Sequence, residues 1–151
     1  MTGIISHRHE GQKGRFPNKL RKSGRTDIAL WRYNYSDDDW EPISVIEVKR
    51  GWGWGGDPFK KDIERIISSI DKLGKRNKAG SLDGGFFIIV SDYWEKTRKE
   101  MIKKFENDFD NIWDKIDEII DDHHKFNGYM EYSEYNKENQ TMGAAMVFKF
   151  R

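Results

Sequence analysis

Cysteine is absent from all 151 residues, which excludes a disulfide framework and any cysteine-based zinc site. The composition suits a reducing compartment. No apolar run is long enough to span a bilayer, and the N-terminus carries no signal-peptide apolar segment. The expectation is a soluble, intracellular, cytoplasmic protein. There is also no excess of charge of one sign: 27 Lys and Arg face 26 Asp and Glu, for a formal net charge of +1 although 35% of residues are charged. Net charge therefore gives no reason to expect a polyanionic partner. Internal repeats and low-complexity linkers are missing too, and a chain of this length fits one domain with a real core.

What is present is a polarised charge distribution. Residues 1–35 hold Arg8, Lys13, Arg15, Lys19, Arg21, Lys22, Arg25 and Arg32 against Glu10 and Asp27. Residues 106–122 have the opposite bias, with Asp and Glu at eight positions against Lys115. One face then suits a polyanion while another repels it. Basic residues along an arm over 1–24 would neutralise phosphates and give salt-dependent binding; solubility and counter-charge for the acidic stretch are the competing reading. The acidic stretch itself reads as one solvated helix face. Aromatics at 14% serve a small core and could supply stacking surfaces.

The pattern implies an α/β fold with a mixed β-sheet and flanking helices. A short strand or turn of helix is expected around Ile4–His9. Residues 25–35 alternate as a strand, with Thr26, Ile28 and Leu30 against Arg25, Asp27, Ala29 and Trp31. The polar turn Ser36-Asp37-Asp38-Asp39 leads to a β-branched strand over 42–50, and the two should pair as an antiparallel hairpin. Gly51 to Gly56 is a glycine- and tryptophan-rich loop. Asp57 reads as an N-cap and Pro58 as the first helical residue. Phe59, Ile63, Ile66, Ile67, Ile70 and Leu73 then form one helical stripe that Gly74 ends. Residues 85–91 read as a central strand, parallel to the one before the helix through a right-handed crossover. From Tyr93 to Asp121 the pattern is helical, in one or two pieces, with Trp94 counted among the core residues. Strands are expected over 128–135 and 144–150.

The chemistry concentrates around Glu47 and Lys49. Alternation places both on the face that carries Ile43 and Val45. Charges in such a strand are costly unless they are paired or bind an ion. Alone, the two would read as an ordinary pair at a strand end. Asp27, mid-strand in the preceding run where aspartate is disfavoured, changes this. The hairpin can bring it near Glu47, and two neighbouring carboxylates without a cation repel each other. A few oxygen ligands with water completing the shell describe magnesium better than zinc. Hydrolysis of a phosphodiester needs a metal to generate the water nucleophile and stabilise phosphoryl charge, and a lysine can assist.

Gly24-Arg25-Thr26-Asp27-Ile28-Ala29-Leu30 followed by Ile46-Glu47-Val48-Lys49-Arg50 resembles the PD-(D/E)xK nuclease superfamily over residues 24–91. The resemblance implies a restriction-endonuclease-like core over 25–151, with the basic arm or a shortened first helix before it. It implies Asp27 and Glu47 as ligands of Mg²⁺ (or Mn²⁺) and Lys49 as the assisting catalytic residue. The implied activity is phosphodiester hydrolysis, of DNA in preference to RNA; a homodimer is compatible with it, since many such small nucleases cut two strands as dimers. A catalytically silent nucleic-acid-binding or assembly module on the same fold is the alternative. The sequence departs from the pattern at Thr26, where proline often stands, and in the first helix, which often contributes a glutamate. Glu10 is the only acid ahead of Asp27 and so the candidate third ligand.

Similar nucleases also place polar residues on the helix after the loop, which makes Lys60, Asp62 and Arg65 candidates for nucleic-acid contact. Solvated flanks of an amphipathic helix are the competing reading, and the preferred one for Arg65. Ser69 flanks the same stripe. Lys22 and Arg25 are candidate phosphate contacts, and Trp52 and Trp54 could stack on bases. The loop has no Gly-Lys-Ser/Thr ending and so is not a Walker-type phosphate loop. His7 and His9 read as surface residues, and His123 and His124 as residues near a helix end.

Overall fold

A computed structural model describes residues 2–5 (backbone only), 27–51, 59–75 and 80–151. Lys22, Arg25, Glu10, Trp52, Trp54, Asp57 and Pro58 lie outside the described residues.

The hairpin expected from the alternating runs is formed by β2 (Ile28–Asn34) and β3 (Asp39–Arg50), paired antiparallel from Ile28↔Ile46 to Asn34↔Asp39. Its turn is closed by side chains: Ser36 N–H donates to Asn34 Oδ1 at 3.0 Å, and Asn34 Nδ2 donates to Asp37 at 2.9 Å. Asp38 takes a left-handed φ of 52°, which aspartate tolerates. The register shifts between Leu30 and Trp31, where the partner passes from Ser44 to Pro42 and leaves Ile43 over. Pro42 has no N–H to give the ladder, so a bulge there is the natural accommodation. Beyond the bulge the pairing Ala29↔Val45 and Ile28↔Ile46 sets which face every later side chain takes.

A further strand, β1 (Thr2–Ile5), pairs antiparallel with β2. After β3 the chain enters α1 (Lys60–Leu73) and returns as β4 (Gly84–Trp94), parallel to β3 from Ser44↔Gly84 to Arg50↔Val90. Then come α2 (Arg98–Ile119), β5 (Phe126–Tyr132) and β6 (Thr141–Phe150). The sheet is mixed, six-stranded, and ordered β1-β2-β3-β4-β6-β5.

Both helices pack on one face of it. Ile63, Ile66 and Ile70 of α1, and Met101, Phe105, Ile112 and Ile116 of α2, bury against Val45, Phe87, Ile89, Met146, Phe148 and Phe150. Gly85 lets α1 lie close, since a Cβ there would stand 2.2 Å from Ile66 Cγ2. Gly74 ends α1 as expected, for a steric reason: its φ is −66°, but a Cβ would meet Ile70 O at 2.3 Å. No helix among the described residues is long and apolar enough to cross a membrane.

Three expectations need correction. First, α2 begins at Arg98, not near Tyr93, and is a single helix; Tyr93 and Trp94 belong to β4, with Trp94 67% exposed and not in the core. The start is fixed by Thr97, whose Oγ1 accepts from Glu100 N–H at 3.2 Å and donates to the Glu100 carboxylate at 2.8 Å, a Thr-x-x-Glu cap that outranks the apolar spacing. Second, the first described helical residue of α1 is Lys60, with Phe59 as N-cap and no side-chain cap. Third, the acidic stretch is not wholly a solvated face. Asp108 is buried and accepts a hydrogen bond from the Tyr93 hydroxyl at 2.7 Å.

Burial holds the Asp108 carboxyl above its ordinary pKa, partly offset by the Tyr93 hydrogen bond and the Lys104 charge. A raised folded-state pKa means that the fold binds this proton better than the unfolded chain does. Its contribution to stability is full below the ordinary aspartate range and is lost as pH rises through the raised value. Asp108→Asn cannot ionise, so its melting temperature relative to the parent should be higher at neutral pH than at acid pH. Thermal melts across that range test this, and a pH-independent difference would count against it.

Candidate active site

Glu47 and Lys49 leave β3 on the same face as Val45, under the helix layer, because alternate residues share a face. Continuing the Ile28↔Ile46 register by one residue sets Asp27 beside Glu47 on that same face. Asp27 is exposed and anchored: its Oδ2 accepts from Val48 N–H at 2.8 Å. Glu47 is 1% exposed, the most deeply buried charged residue described, while the Lys49 side chain is 41% exposed and reaches solvent. The structure thus brings Asp27, Glu47 and Lys49 to one place.

It adds two residues from α1. Asp62 and Arg65 are one helical turn apart and look down onto β3. Arg65 Nη1 lies 2.9 Å from Glu47 Oε1 and 3.2 Å from Asp62 Oδ1. Lys49 Nζ lies 2.8 Å from Asp62 Oδ2. Arg65 is therefore no solvated flank: its side chain is 17% exposed and bonded to two carboxylates. Asp62 is buried as well, and Ser69, two turns along, is buried and donates to Arg65 O at 2.8 Å. Lys60 is exposed at the start of α1. The clue was in the sequence, in the polar stripe Asp62, Arg65 and Ser69 at helical spacing beside the isoleucines. Spacing alone does not single out Arg65, because an arginine beside an apolar stripe usually points to water.

The electrostatics follow from burial. Loss of water raises the Glu47 pKa; the Arg65 hydrogen bond and charge pull it back; Asp27 and Asp62 push it up again. Burial likewise lowers the Arg65 pKa, but its bonds to Glu47 and the charges of Asp62 and Asp27 outweigh that and leave it raised. Asp62 Oδ2 is buried and has no directed hydrogen bond among the described residues, its contact being the Lys49 ion pair. Among the described residues three carboxylates face two cations, which leaves those five groups, when ionised, with one excess negative charge.

This donor set fits a hard divalent cation: carboxylate oxygens only, one desolvated, one without a directed partner. As the side chains stand, no group of three His, Cys, Asp or Glu among the described residues is placed to hold a metal ion; Glu47 and Asp62 are turned to the cations of Arg65 and Lys49, and Asp27 to the Val48 N–H. Compared with known proteins, the chain matches no family model, no curated protein and no solved structure.

Proposed function

We propose that this chain is a magnesium-dependent nuclease of the PD-(D/E)xK kind with a restriction-endonuclease-like core, hydrolysing phosphodiester bonds in DNA in preference to RNA. The observation that carries the reading is that Asp27, from the strand paired with β3, and Glu47 and Lys49 of β3 share one end of one sheet face beside a buried acid on the crossover helix. The order hairpin, crossover helix, parallel strand accommodates that core.

Asp27 and Glu47 would hold the cation, Asp27 from the solvent side and Glu47 from within. A bound Mg²⁺ supplies Lewis-acid polarisation of the phosphoryl oxygen and a water nucleophile at neutral pH. Lys49, part exposed, reaches the space where a phosphate would enter, positions water and offsets charge that develops on phosphoryl oxygens. Asp62 holds the Lys49 ammonium at the mouth of the site. Arg25 and Lys22, together with Trp52 and Trp54, remain candidates for phosphate and base contact outside the described residues.

The test is incubation with supercoiled plasmid, linear duplex, single strands and RNA, with and without Mg²⁺ or Mn²⁺, beside Lys49→Ala. Metal-dependent cleavage that the variant loses is the expected result. Absence of cleavage on every substrate, together with absence of Mn²⁺ binding, would end the proposal. One observation favours a second reading, a catalytically silent nucleic-acid-binding or assembly module: Glu47, Arg65, Asp62 and Lys49 already neutralise one another in a continuous chain of ion pairs. Such a module shifts DNA in gels yet gives no heat on titration with Mn²⁺.

A further inference from the structure

We infer that Arg65 is a built-in counter-ion that occupies the cation position of this site and must leave it for a divalent ion to bind. The inference rests on the metal-binding reading of the site and goes beyond it in assigning what fills the site beforehand.

The geometry is that of a bridging cation. A single guanidinium nitrogen, Nη1, sits 2.9 Å from a Glu47 oxygen and 3.2 Å from an Asp62 oxygen. Both acids are almost fully buried, with side chains 2% and 7% exposed. Two buried carboxylates facing each other, with Asp27 nearby, would otherwise repel, and one would keep its proton. The fold needs a positive charge at that point whether or not a metal is present. Arg65 supplies it from a long side chain, while Glu47 is fixed in the centre of the sheet.

Charge counting shows why the two occupants exclude each other. With Arg65 in place, the three carboxylates and two cations among the described residues leave one negative charge. With Arg65 withdrawn, Asp27, Glu47 and Asp62 against Lys49 leave two, which a divalent ion cancels. A metal ion and the guanidinium both drawing on Glu47 Oε1 would put like charges within a few ångströms, which is strongly unfavourable. The apparent affinity for metal is then lowered by the work of releasing Arg65. Asp62 takes on a specific role: its Oδ1 is freed with the arginine, and its Oδ2 is buried without a directed hydrogen bond, against the Lys49 ammonium at 2.8 Å. Asp62 is the third carboxylate of the site among the described residues, which do not include Glu10.

The experiment is calorimetric titration of Mn²⁺ into the parent, Arg65→Gln, Arg65→Lys and Glu47→Gln, with thermal melts of each with and without Mn²⁺. Removing the competing charge should tighten Mn²⁺ binding about tenfold or more in Arg65→Gln. That variant should also melt lower than the parent without metal and gain more from added Mn²⁺. Arg65→Lys keeps the charge and should bind like the parent; Glu47→Gln should bind far more weakly. If the parent binds Mn²⁺ through Glu47 but Arg65→Gln binds with equal or lower affinity, Arg65 is a fixed part of the site and the inference fails while the nuclease reading stands. Binding by Arg65→Gln alone, with a silent parent, supports the inference. If neither binds, the metal reading fails and this inference with it.

Discussion

On the proposed nuclease reading, Glu47→Gln should abolish both metal binding and cleavage, while Lys49→Ala should cut cleavage sharply without weakening metal binding. The two residues are two positions apart on one strand, but their surroundings assign them different work. Glu47 is desolvated, and its pKa is raised by burial and by two further acids. The only favourable uses of such a carboxylate are to neutralise Arg65 or to hold a cation. Glutamine keeps its shape and removes its charge, so a cation held as proposed would lose its innermost ligand. Lys49 stands at the solvent edge, 41% exposed. A positioned charge of this kind is worth roughly 10²–10³ in rate, and that is the fall expected on truncation. Stability must be followed in parallel. Lys49→Ala leaves the buried Asp62 Oδ2 without its ion-pair contact, which costs about 1–3 kcal/mol. Glu47→Gln breaks a buried pair, for which about 3–5 kcal/mol is usual; relief of the repulsion from Asp27 and Asp62 reduces the loss. Cleavage at the parental rate by folded Lys49→Ala would remove lysine from the mechanism, and unchanged Mn²⁺ binding by Glu47→Gln would remove the metal site.

The parts of this arrangement that could be read from sequence are those that local periodicity controls. Alternation around Ile28 and around Val45 placed the hairpin and, through it, Asp27 opposite Glu47. The isoleucine spacing from Ile63 to Ile70 placed α1, and the apolar run after Gly84 placed the parallel strand. What periodicity could not give was distance across the fold. The pairing of Arg65 with Glu47 spans 18 residues and depends on how closely α1 approaches the sheet. The bond between Tyr93 and Asp108 depends on β4 running on to Trp94, against a helical spacing that suggested α2 had already begun. His124 reads from sequence as a residue near a helix end. It is in fact buried, with Nδ1 2.7 Å from Asp121 and Nε2 2.9 Å from Asp71 of α1, so it ties the exit of one helix to the other. In each case the decisive contact joins elements whose mutual placement is a property of the packed core.

Gly85→Ala should disable the site without touching any of its charged groups. Gly85 pairs with Val45 on one side and Phe150 on the other, under the middle of α1. A methyl group there would stand 2.2 Å from Ile66 Cγ2 and 3.1 Å from Val45 Cγ2. Ile66 is 1% exposed, and a β-branched side chain in a helix has essentially one rotamer, so it cannot turn aside. The helix itself must move away from the sheet, at about 1–3 kcal/mol for overpacking of this kind. That movement carries Asp62 and Arg65 off contacts of 2.8–3.2 Å with Lys49 and Glu47. A displacement of about 1 Å in a catalytic arrangement can cost on the order of 10²-fold in rate, so cleavage should fall much further than stability alone predicts. The control is Ile66→Ala. By itself it should destabilise by about 2–5 kcal/mol through the cavity it opens. Combined with Gly85→Ala it removes the atom with which the new methyl collides, so the double variant should be more stable than the sum of the single effects, with a coupling of about 1 kcal/mol or more. Part of the lost cleavage should return with it. Strict additivity in denaturant melts, or a Gly85→Ala protein that melts and cleaves like the parent, would show that the height of α1 above the sheet does not set the geometry of Glu47, Arg65, Asp62 and Lys49.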